Sequence, residues 1–374
     1  MTEESMHKTS FIILYALIFL FLFISFFSKS IFNNYLIIRD SDKRVGYLFY
    51  KSLISTFLVL MLLLMFVFYY FGLKHSFLSV LTGSGTLIDN RLSNRYSGIP
   101  TVLISFYNFI SIFFTCVVGM FLSKFSKKWS LFLIFLVIFF SSFFGGKAPV
   151  VNSIILIVLS YYSSKSDLKF NFSIFSKIIG FLLVIFILLF FVIKAQFPDF
   201  NNEDISAFII GRIGIGQIHG AYEQFALQLR DPKYILHTIP FANFFYDYLP
   251  FNKDLMLHTW GLHLDDPSQT GVMNSLFIGE ALAIGGYWLV IFSPIIVAFN
   301  FCFVASFLVL FLKKYLHIPK LDAQKISALV IVNYIGFTAD ITGLLFFKSF
   351  VMIFLFCILF IFIFKFIRVV KVSL

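Results

Sequence analysis

The sequence "SLISTFLVLMLLLMFVFYYFGL", residues 52–73, contains no charged side chain and is long enough to cross the hydrocarbon core of a membrane as a helix. A spanning helix needs about twenty apolar residues, since each residue adds about 1.5 Å to its length. Hydrocarbon offers the backbone no hydrogen-bond partner, so a run of this kind must satisfy its own N–H and C=O groups as a helix. The stretch therefore predicts a membrane protein built from α-helices.

Other runs of the same kind occur along the chain. They predict spans near residues 10–28, 100–122, 129–145, 148–163, 176–194, 286–312, 325–342 and 344–364. The composition agrees, because 60% of the 374 residues are hydrophobic and only 13% are charged, which excludes a soluble globular domain. We expect an all-α polytopic membrane helix bundle of about nine spans, forming a single integral membrane domain over residues 1–374. The 57 phenylalanines are interpreted as lipid-facing and interhelical bulk.

The basic residues predict which side of the membrane each loop faces. Eighteen of the 29 lysines and arginines fall in short loops on one side and in the C-terminal tail. The positive-inside rule makes that side cytoplasmic and puts the N-terminus outside. A tenth span at 274–292 would move the basic cluster at 313–325 to the outside, so nine spans are preferred. The basic residues behind the net charge of +11 are thus expected to set the topology and to contact anionic lipid headgroups. Nucleic acid is not an expected partner.

Cysteine usage argues against disulfides and metal sites. Each of the three cysteines, Cys116, Cys302 and Cys357, lies within an apolar run, and their spacing matches no metal-ligand pattern. The histidines and acids of 258–271 do not form a trusted ligand pattern either, and Pro267 indicates a turn there. We therefore expect neither a metal nor another cofactor.

The segment 195–273 is predicted to be a large extracytoplasmic loop. It holds nine of the eighteen acidic residues and four of the seven histidines. Loops of this length are usually functional or disordered, and the many aromatic residues of this one favour order. We expect it to carry short interfacial helices.

The part of this loop richest in candidate site residues is "GRIGIGQIHGAYEQFALQLR", residues 211–230. If 205–230 is helical, polar groups step along one stripe of the helix at intervals of four, three, four and seven residues. The stripe consists of Arg212, Gly216, His219, Glu223 and Arg230. The sequence thus predicts an amphipathic helix parallel to the membrane, whose charges are either functional or merely solvated.

Two further segments on the outer side carry cations suited to phosphate. Arg91 and Arg95, in the loop 82–100, lie one helical turn apart and could grip a diphosphate through bidentate hydrogen bonds, or could simply be solvated. Lys147 follows two glycines in "FFGGKAP", residues 143–149, which predicts a tight helical hairpin. Lys147 could bind an anion there or could extend to the membrane interface.

Ionisable groups in apolar segments are the remaining candidates. Glu280 lies in 274–285, which predicts an interfacial or re-entrant helix that ends at Gly285-Gly286 and leads into the span 286–312. A carboxyl group at a membrane edge is costly, which makes it a functional candidate. Asp340 and Asn333, in the span 325–342, are weaker candidates of the same kind.

The architecture, together with "NSLFIGEALAIGGYWLVI" (274–291) and "SSFFGGKAPVV" (141–151), resembles the Wzy-type polymerases of O-antigen and capsular repeat units. In the first stretch Glu280 and Gly285-Gly286 look like the family's acidic-then-glycine signature. In the second, Lys147 stands where relatives often have a basic residue. The predicted nine spans and outward N-terminus depart from the ten or more spans common in relatives.

The resemblance implies a metal-independent glycosyltransferase in the bacterial cytoplasmic membrane, acting on its outer face. The donor and acceptor would be oligosaccharides linked to undecaprenyl diphosphate, and a chain-length regulator and a flippase are further expected partners. Residues assigned to catalysis are Arg212, His219, Glu223 and Glu280. Residues assigned to the diphosphate are Arg91, Arg95, Lys147 and Arg230. Tyr246, Tyr248 and Trp260 are assigned to sugar stacking, although aromatic residues here could equally form an interface belt.

Two alternatives remain open at this stage. An O-antigen ligase shares this architecture and donor but uses a lipid A core as acceptor. A flippase or transporter of the same lipid-linked units would need charged residues in the middle of many spans, and the predicted spans are nearly free of charge.

Overall fold

The structure is a computed structural model of the full chain, and its helical segments can be described in atomic terms. It describes residues 3–34, 47–82, 99–145, 147–165, 176, 179–180, 183, 187, 190, 201, 203–206, 219–239, 242, 245–246, 249–260, 273, 275–335 and 347–372.

All regular secondary structure within these residues is helical, and no strand occurs in them. The α-helices are α1 (Glu3–Asn34), α2 (Tyr47–Tyr70), α3 (Ser76–Leu81), α4 (Thr101–Phe121), α5 (Lys127–Ser141), α6 (Lys147–Lys165), α7 (His219–Leu227), α8 (Phe251–Trp260), α9 (Phe277–Leu316), α10 (Lys320–Ile335) and α11 (Phe347–Val372). Two 3-10 helices, Leu122–Lys124 and Pro232–Thr238, follow α4 and α7. The predicted all-α class is confirmed.

Five helices in the described part are long and apolar enough to cross a membrane. They lie at Met6–Lys29, Lys51–Tyr70, Val102–Lys124, Phe277–Leu316 and Lys348–Phe366. Helices α5 and α10 also coincide with predicted spans, but they have only 15 and 16 residues, which is shorter than the roughly twenty that a span needs. The count of about nine spans therefore stays a prediction. The predicted span 176–194 lies mostly outside the described residues.

The chain divides into two compact units. The first consists of Met1–Ile38, Leu183–Phe307 and Ile335–Val351, and the second of Arg39–Leu182, Leu308–Tyr334 and Met352–Leu374. Because segments distant in sequence join in each unit, neither corresponds to a continuous stretch of chain.

The second unit is built around α4, which packs against α2, α5 and α6. Gly119 allows the close approach of α4 and α6, because a Cβ atom there would lie 2.6 Å from the Cβ of Ser160. Phenylalanine rings fill the interior: Phe57, which is fully buried, contacts the rings of Phe113, Phe114, Phe356 and Phe360 at centroid distances of 4.8–6.1 Å. We call these five residues the aromatic core. Edge and tilted contacts of this kind suit the charge distribution of aromatic rings.

In the first unit, α1 packs against α7 and α9. The hydroxyl groups of Ser10 and Tyr222 lie 3.0 Å apart, and the Tyr15 hydroxyl donates to the carbonyl of Ile291 at 3.1 Å. Helix α7 also packs against α8. The short helices of the loop 195–273 that the structure describes are thus attached to membrane-length helices, which puts them in a position to build a site.

Candidate functional site

The centre of the candidate site is a break in α9 at Gly286. Gly286 has φ 71° and ψ −162°, a backbone conformation that is essentially restricted to glycine. It separates a short arm, 277–285, from the long apolar arm that continues to Leu316. The prediction that a short helix ends at Gly285-Gly286 and leads into a span is confirmed in its helical geometry, whereas its depth in the membrane is untested.

The guanidinium of Arg230 lies over this break. A Cβ atom on Gly286 would collide with Nη1 of Arg230 and would lie 3.2 Å from its Cζ. Gly286 is therefore required for its backbone angles, and its missing side chain leaves the space that the guanidinium occupies. Arg230 is exposed and forms no ion pair with any residue that the structure describes. Its positive charge is therefore accessible to a ligand.

An aromatic side chain adjoins the same guanidinium. The Cζ atom of Arg230 lies 5.9 Å from the ring centroid of Tyr287, at the outer limit of a cation–π contact. The ring of Phe225, on α7, lies 6.2 Å from that of Tyr287. Tyr287 is thus the common neighbour of α7 and Arg230. Tyr287 was not predicted as a site residue, because an aromatic residue at the start of an apolar span is common in membrane helices.

Helix α7 carries two of the predicted catalytic residues. Nε2 of His219 and Oε1 of Glu223 are 3.4 Å apart on successive turns, and both side chains are partly exposed. The predicted polar stripe does not continue as far as Arg230, because α7 ends at Leu227 and Gln228 adopts φ 52°. The prediction of one helix through residue 230 is therefore wrong. Arg230 reaches the site from the connection that follows α7.

This connection is fixed by hydrogen bonds at both sides of Arg230. The fully buried side chain of Gln224 donates from Nε2 to the carbonyl of Leu229 at 2.7 Å. On the other side, the N–H of Asp231 donates to the carbonyl of Ala283 at 3.1 Å, which joins the connection to the short arm of α9. Asp231 also caps the 3-10 helix that follows, since its Oδ1 accepts from the N–H of Lys233 at 2.9 Å. The backbone around Arg230 is consequently preorganised.

A further polar contact joins the 3-10 helix to α8. The hydroxyl of the buried residue Tyr234 donates a short hydrogen bond to Oδ2 of Asp254. Burial, followed by this bond and the negative charge of Asp254, raises the pKa of the Tyr234 hydroxyl. The other carboxylate oxygen, Oδ1, lies 3.3 Å from Nδ1 of the exposed residue His258. Nothing in the spacing of these residues along the sequence indicated the contact, because Tyr234 and Asp254 are twenty residues apart.

Apolar packing supports this arrangement. Tyr234, Phe251, Leu255, Met273 and Ala283 form a buried cluster. The N–H of Met273 donates to the carbonyl of Asn252 at 3.1 Å, which attaches the end of the large loop to α8. The cluster therefore holds the 3-10 helix, α8 and the short arm of α9 together.

Glu280 lies on the short arm, six residues before the break, and is 6% exposed. Its carboxyl group is thus shielded from bulk solvent, in contrast to Arg230. Tyr246 is exposed, as expected for a residue that stacks on a sugar or lies in a membrane interface. Trp260 is the last residue of α8.

In the second unit, the residues at the start of α3 contact the end of α5. Nε2 of the buried residue His75 donates to the carbonyl of Phe139 at 3.0 Å, and the N–H of Ser76 donates to the carbonyl of Phe143 at 3.0 Å. The start of α3 is therefore attached to the end of α5, close in sequence to the predicted hairpin. That hairpin is confirmed as a turn after α5 with φ 72° at Gly145, and α5 packs against α6.

Several predicted site residues cannot be placed. Arg91, Arg95, Arg212, Tyr248 and Asp340 lie outside the described residues, as do the side chains of Lys147 and Trp260. Asn333 is described, and its side chain donates to the carbonyl of Leu329 at 2.8 Å, which is an ordinary role within a helix. The described candidates are thus Arg230 with Gly286 and Tyr287 beside it, the pair His219–Glu223 on α7, and Glu280 on the short arm of α9.

The fold and the five membrane-length helices define the chain as a multi-span α-helical membrane protein. Beyond that class, it matches no model of a known protein family, no curated protein and no solved structure.

Proposed function

We propose that this chain is a lipid-linked glycosyltransferase of the repeat-unit polymerase type. It transfers a growing glycan from undecaprenyl diphosphate to a new lipid-linked repeat unit at the outer face of the bacterial cytoplasmic membrane. The observation that carries the proposal is the exposed guanidinium of Arg230, held over Gly286 where the long apolar arm of α9 begins.

The position of Arg230 along the chain favours a ligand at the level of the lipid headgroups. Gly286 starts the apolar arm, and Lys313 and Lys314 lie in the last turn of the same helix. The positive-inside rule assigns that basic end to the cytoplasm. The Gly286 end would then face outward, where the diphosphate of a lipid carrier meets water.

The chemistry of the leaving group fits a fixed guanidinium. When the bond between the anomeric carbon and the diphosphate oxygen breaks, the electron pair stays with the diphosphate, and negative charge accumulates there. A planar guanidinium can donate two parallel hydrogen bonds to such oxygens. Because Arg230 is oriented before the substrate arrives, little reorganisation is needed as the charge develops. Arg212, from the same loop as Arg230, is proposed to share this task.

The acceptor requires a base. Its sugar hydroxyl oxygen forms the new bond to the anomeric carbon, and the hydroxyl proton must pass to a neighbouring group. The His219–Glu223 pair is partly exposed and can take that proton. Glu280 is the alternative base and is more shielded from solvent. Tyr246, Tyr248 and Trp260 are proposed to stack on the sugar rings.

The test uses the purified full-length protein and a lipid-linked repeat unit, with products separated on a gel. We expect a ladder of glycan lengths from the wild type. Arg230→Ala should slow chain lengthening about a hundredfold, since removing one preorganised charge-stabilising donor typically costs about 10²–10³ in rate. The amount of protein in the membrane should not change. The matched control is Lys233→Ala, which removes an exposed cation from the same segment and should keep the rate within about twofold.

The other outcomes discriminate between functions. A wild-type rate in Arg230→Ala would remove Arg230 from the site. Transfer of the glycan to a lipid A core, without a ladder, would identify a ligase. Movement of the lipid-linked unit across vesicles, with no new glycosidic bond, would identify a flippase.

A further inference from the structure

We propose that Tyr234 and Asp254 are positioning residues for Arg230. Their hydrogen bond fixes the 3-10 helix to α8 and thereby keeps the guanidinium over Gly286. This inference rests on the proposed function, since it adds residues that act on the same site through Arg230.

Arg230 and Tyr234 lie close together along the chain. Only three residues separate them, and Asp231, the first of the three, is bonded to the short arm of α9 through Ala283. The connection therefore has one attachment to α9 directly after Arg230 and a second attachment to α8 at Tyr234. A chain held at two points so close together has little freedom to rotate. This restricts the backbone position from which the Arg230 side chain extends.

The hydrogen bond between Tyr234 and Asp254 is supported both by packing and by charge. Tyr234 is buried and its ring packs against Phe251 at a centroid distance of 5.4 Å, with the rings at 63°. Packing against Phe251 holds the ring of Tyr234 in place, and the hydrogen bond to the Asp254 carboxylate holds its hydroxyl group. A hydrogen bond to an ionised acceptor is stronger than one between neutral groups. Breaking it would leave a buried polar group that lacks this partner, which is costly.

Arg230 needs such support. Its guanidinium is exposed and forms no ion pair with a described residue, and Tyr287 lies at the outer limit of a cation–π contact. Weak side-chain contacts leave the orientation of Arg230 to depend on its backbone. The positions of Leu229, Asp231 and Tyr234 are what determine that backbone.

The test measures chain lengthening by the full-length protein with Tyr234→Phe and Asp254→Ala. Each should lower kcat about tenfold and leave the KM of the lipid-linked donor within about twofold, because the lost interaction serves the transition state. The double variant should be no slower than either single variant, since both changes break one bond. In an Arg230→Lys background, Tyr234→Phe should have no further effect on the rate.

Two matched controls separate positioning from stability. Thr238 donates to the carbonyl of Ile235 within the 3-10 helix at 2.7 Å, and Thr259 donates to that of Leu255 within α8 at 2.8 Å. Thr238→Val removes a local hydrogen bond, Thr259→Val removes a local one and a contact with Sδ of Met273 at 3.8 Å, and both keep the Tyr234–Asp254 bond. Both should lower the melting temperature without slowing chain lengthening per folded molecule.

The inference is overturned if Tyr234→Phe retains the wild-type rate, if the threonine variants slow the reaction equally, or if Tyr234→Phe and Arg230→Lys have independent effects. Any of these results, obtained with a wild-type ladder, leaves the proposed function standing. A wild type that makes no ladder from a lipid-linked unit defeats the proposed function itself.

Discussion

The two units of the chain achieve order by different means. In the second unit, the aromatic core places Phe57 among four other phenylalanine rings, and the order results from many weak contacts. In the first unit, Arg230 is placed by a few hydrogen bonds and by one glycine. The comparison teaches that bulk packing and site geometry can be disturbed separately. Changes in the aromatic core should affect stability, and changes around Gly286 should affect activity.

The largest effect is expected in the aromatic core. Phe57→Ala should lower the free energy of unfolding by about 3–5 kcal/mol, because it removes a fully buried ring and leaves a cavity. Phe66, on the same helix, is 71% exposed, and Phe66→Ala should cost less than about 1 kcal/mol. Thermal unfolding in detergent measures both. Equal losses would show that the buried and exposed phenylalanines do not differ in role.

The second prediction compares two glycines with positive φ. Gly286 has φ 71° and Gly72 has φ 81°, but a Cβ atom at Gly72 would meet no atom within 4 Å. Alanine at either position should cost roughly 1–3 kcal/mol of backbone strain. Only Gly286→Ala should also displace the guanidinium and slow chain lengthening, by about tenfold per folded molecule. A matching loss of activity in Gly72→Ala would mean that backbone strain alone is responsible.

The third prediction concerns one histidine in each unit, the partly buried His237 and the buried His75. Burial, assisted by the positive charge of Lys348, lowers the pKa of His237 from its usual 6.5 to about 4, and burial also lowers the pKa of His75. The unfolded chain then binds more protons than the folded one between pH 6.5 and about 4, so stability should fall as the pH is lowered through that window. His237→Gln should flatten this part of the profile of melting temperature against pH. An unchanged slope in that variant would exclude His237 as the source.

The smallest effect is expected at Tyr287. Tyr287→Leu removes the ring beside Arg230 and should slow chain lengthening about two- to fivefold, since an exposed cation–π contact is worth about 0.5–1 kcal/mol. Tyr287→Phe keeps the ring and should retain the rate. If both variants lose activity equally, the hydroxyl group of Tyr287 is what matters.

Much of the fold follows from the sequence, because a long apolar run forms a helix in which its own backbone N–H and C=O groups are hydrogen-bonded to each other. The run 52–73 became α2, and the glycine pair at 285–286 marked the break in α9, since glycine there both ends a helix and allows a positive φ. The candidate site was only partly predictable. His219 and Glu223 were paired correctly because an interval of four residues brings side chains together on one helix. Arg230 was named as a candidate but was predicted to lie on the same helix as His219 and Glu223. The helix instead ends before Gln228, which is not a usual helix terminator.

The sequence by itself determined that this protein is helical and carries helices of membrane-spanning length, because these properties depend only on local composition and on the physics of the bilayer. The tertiary structure alone decided that Arg230 lies over Gly286 and that Tyr234 bonds to Asp254. Those contacts join residues twenty to fifty-six positions apart, and no periodicity in a sequence encodes which distant segments will pack together.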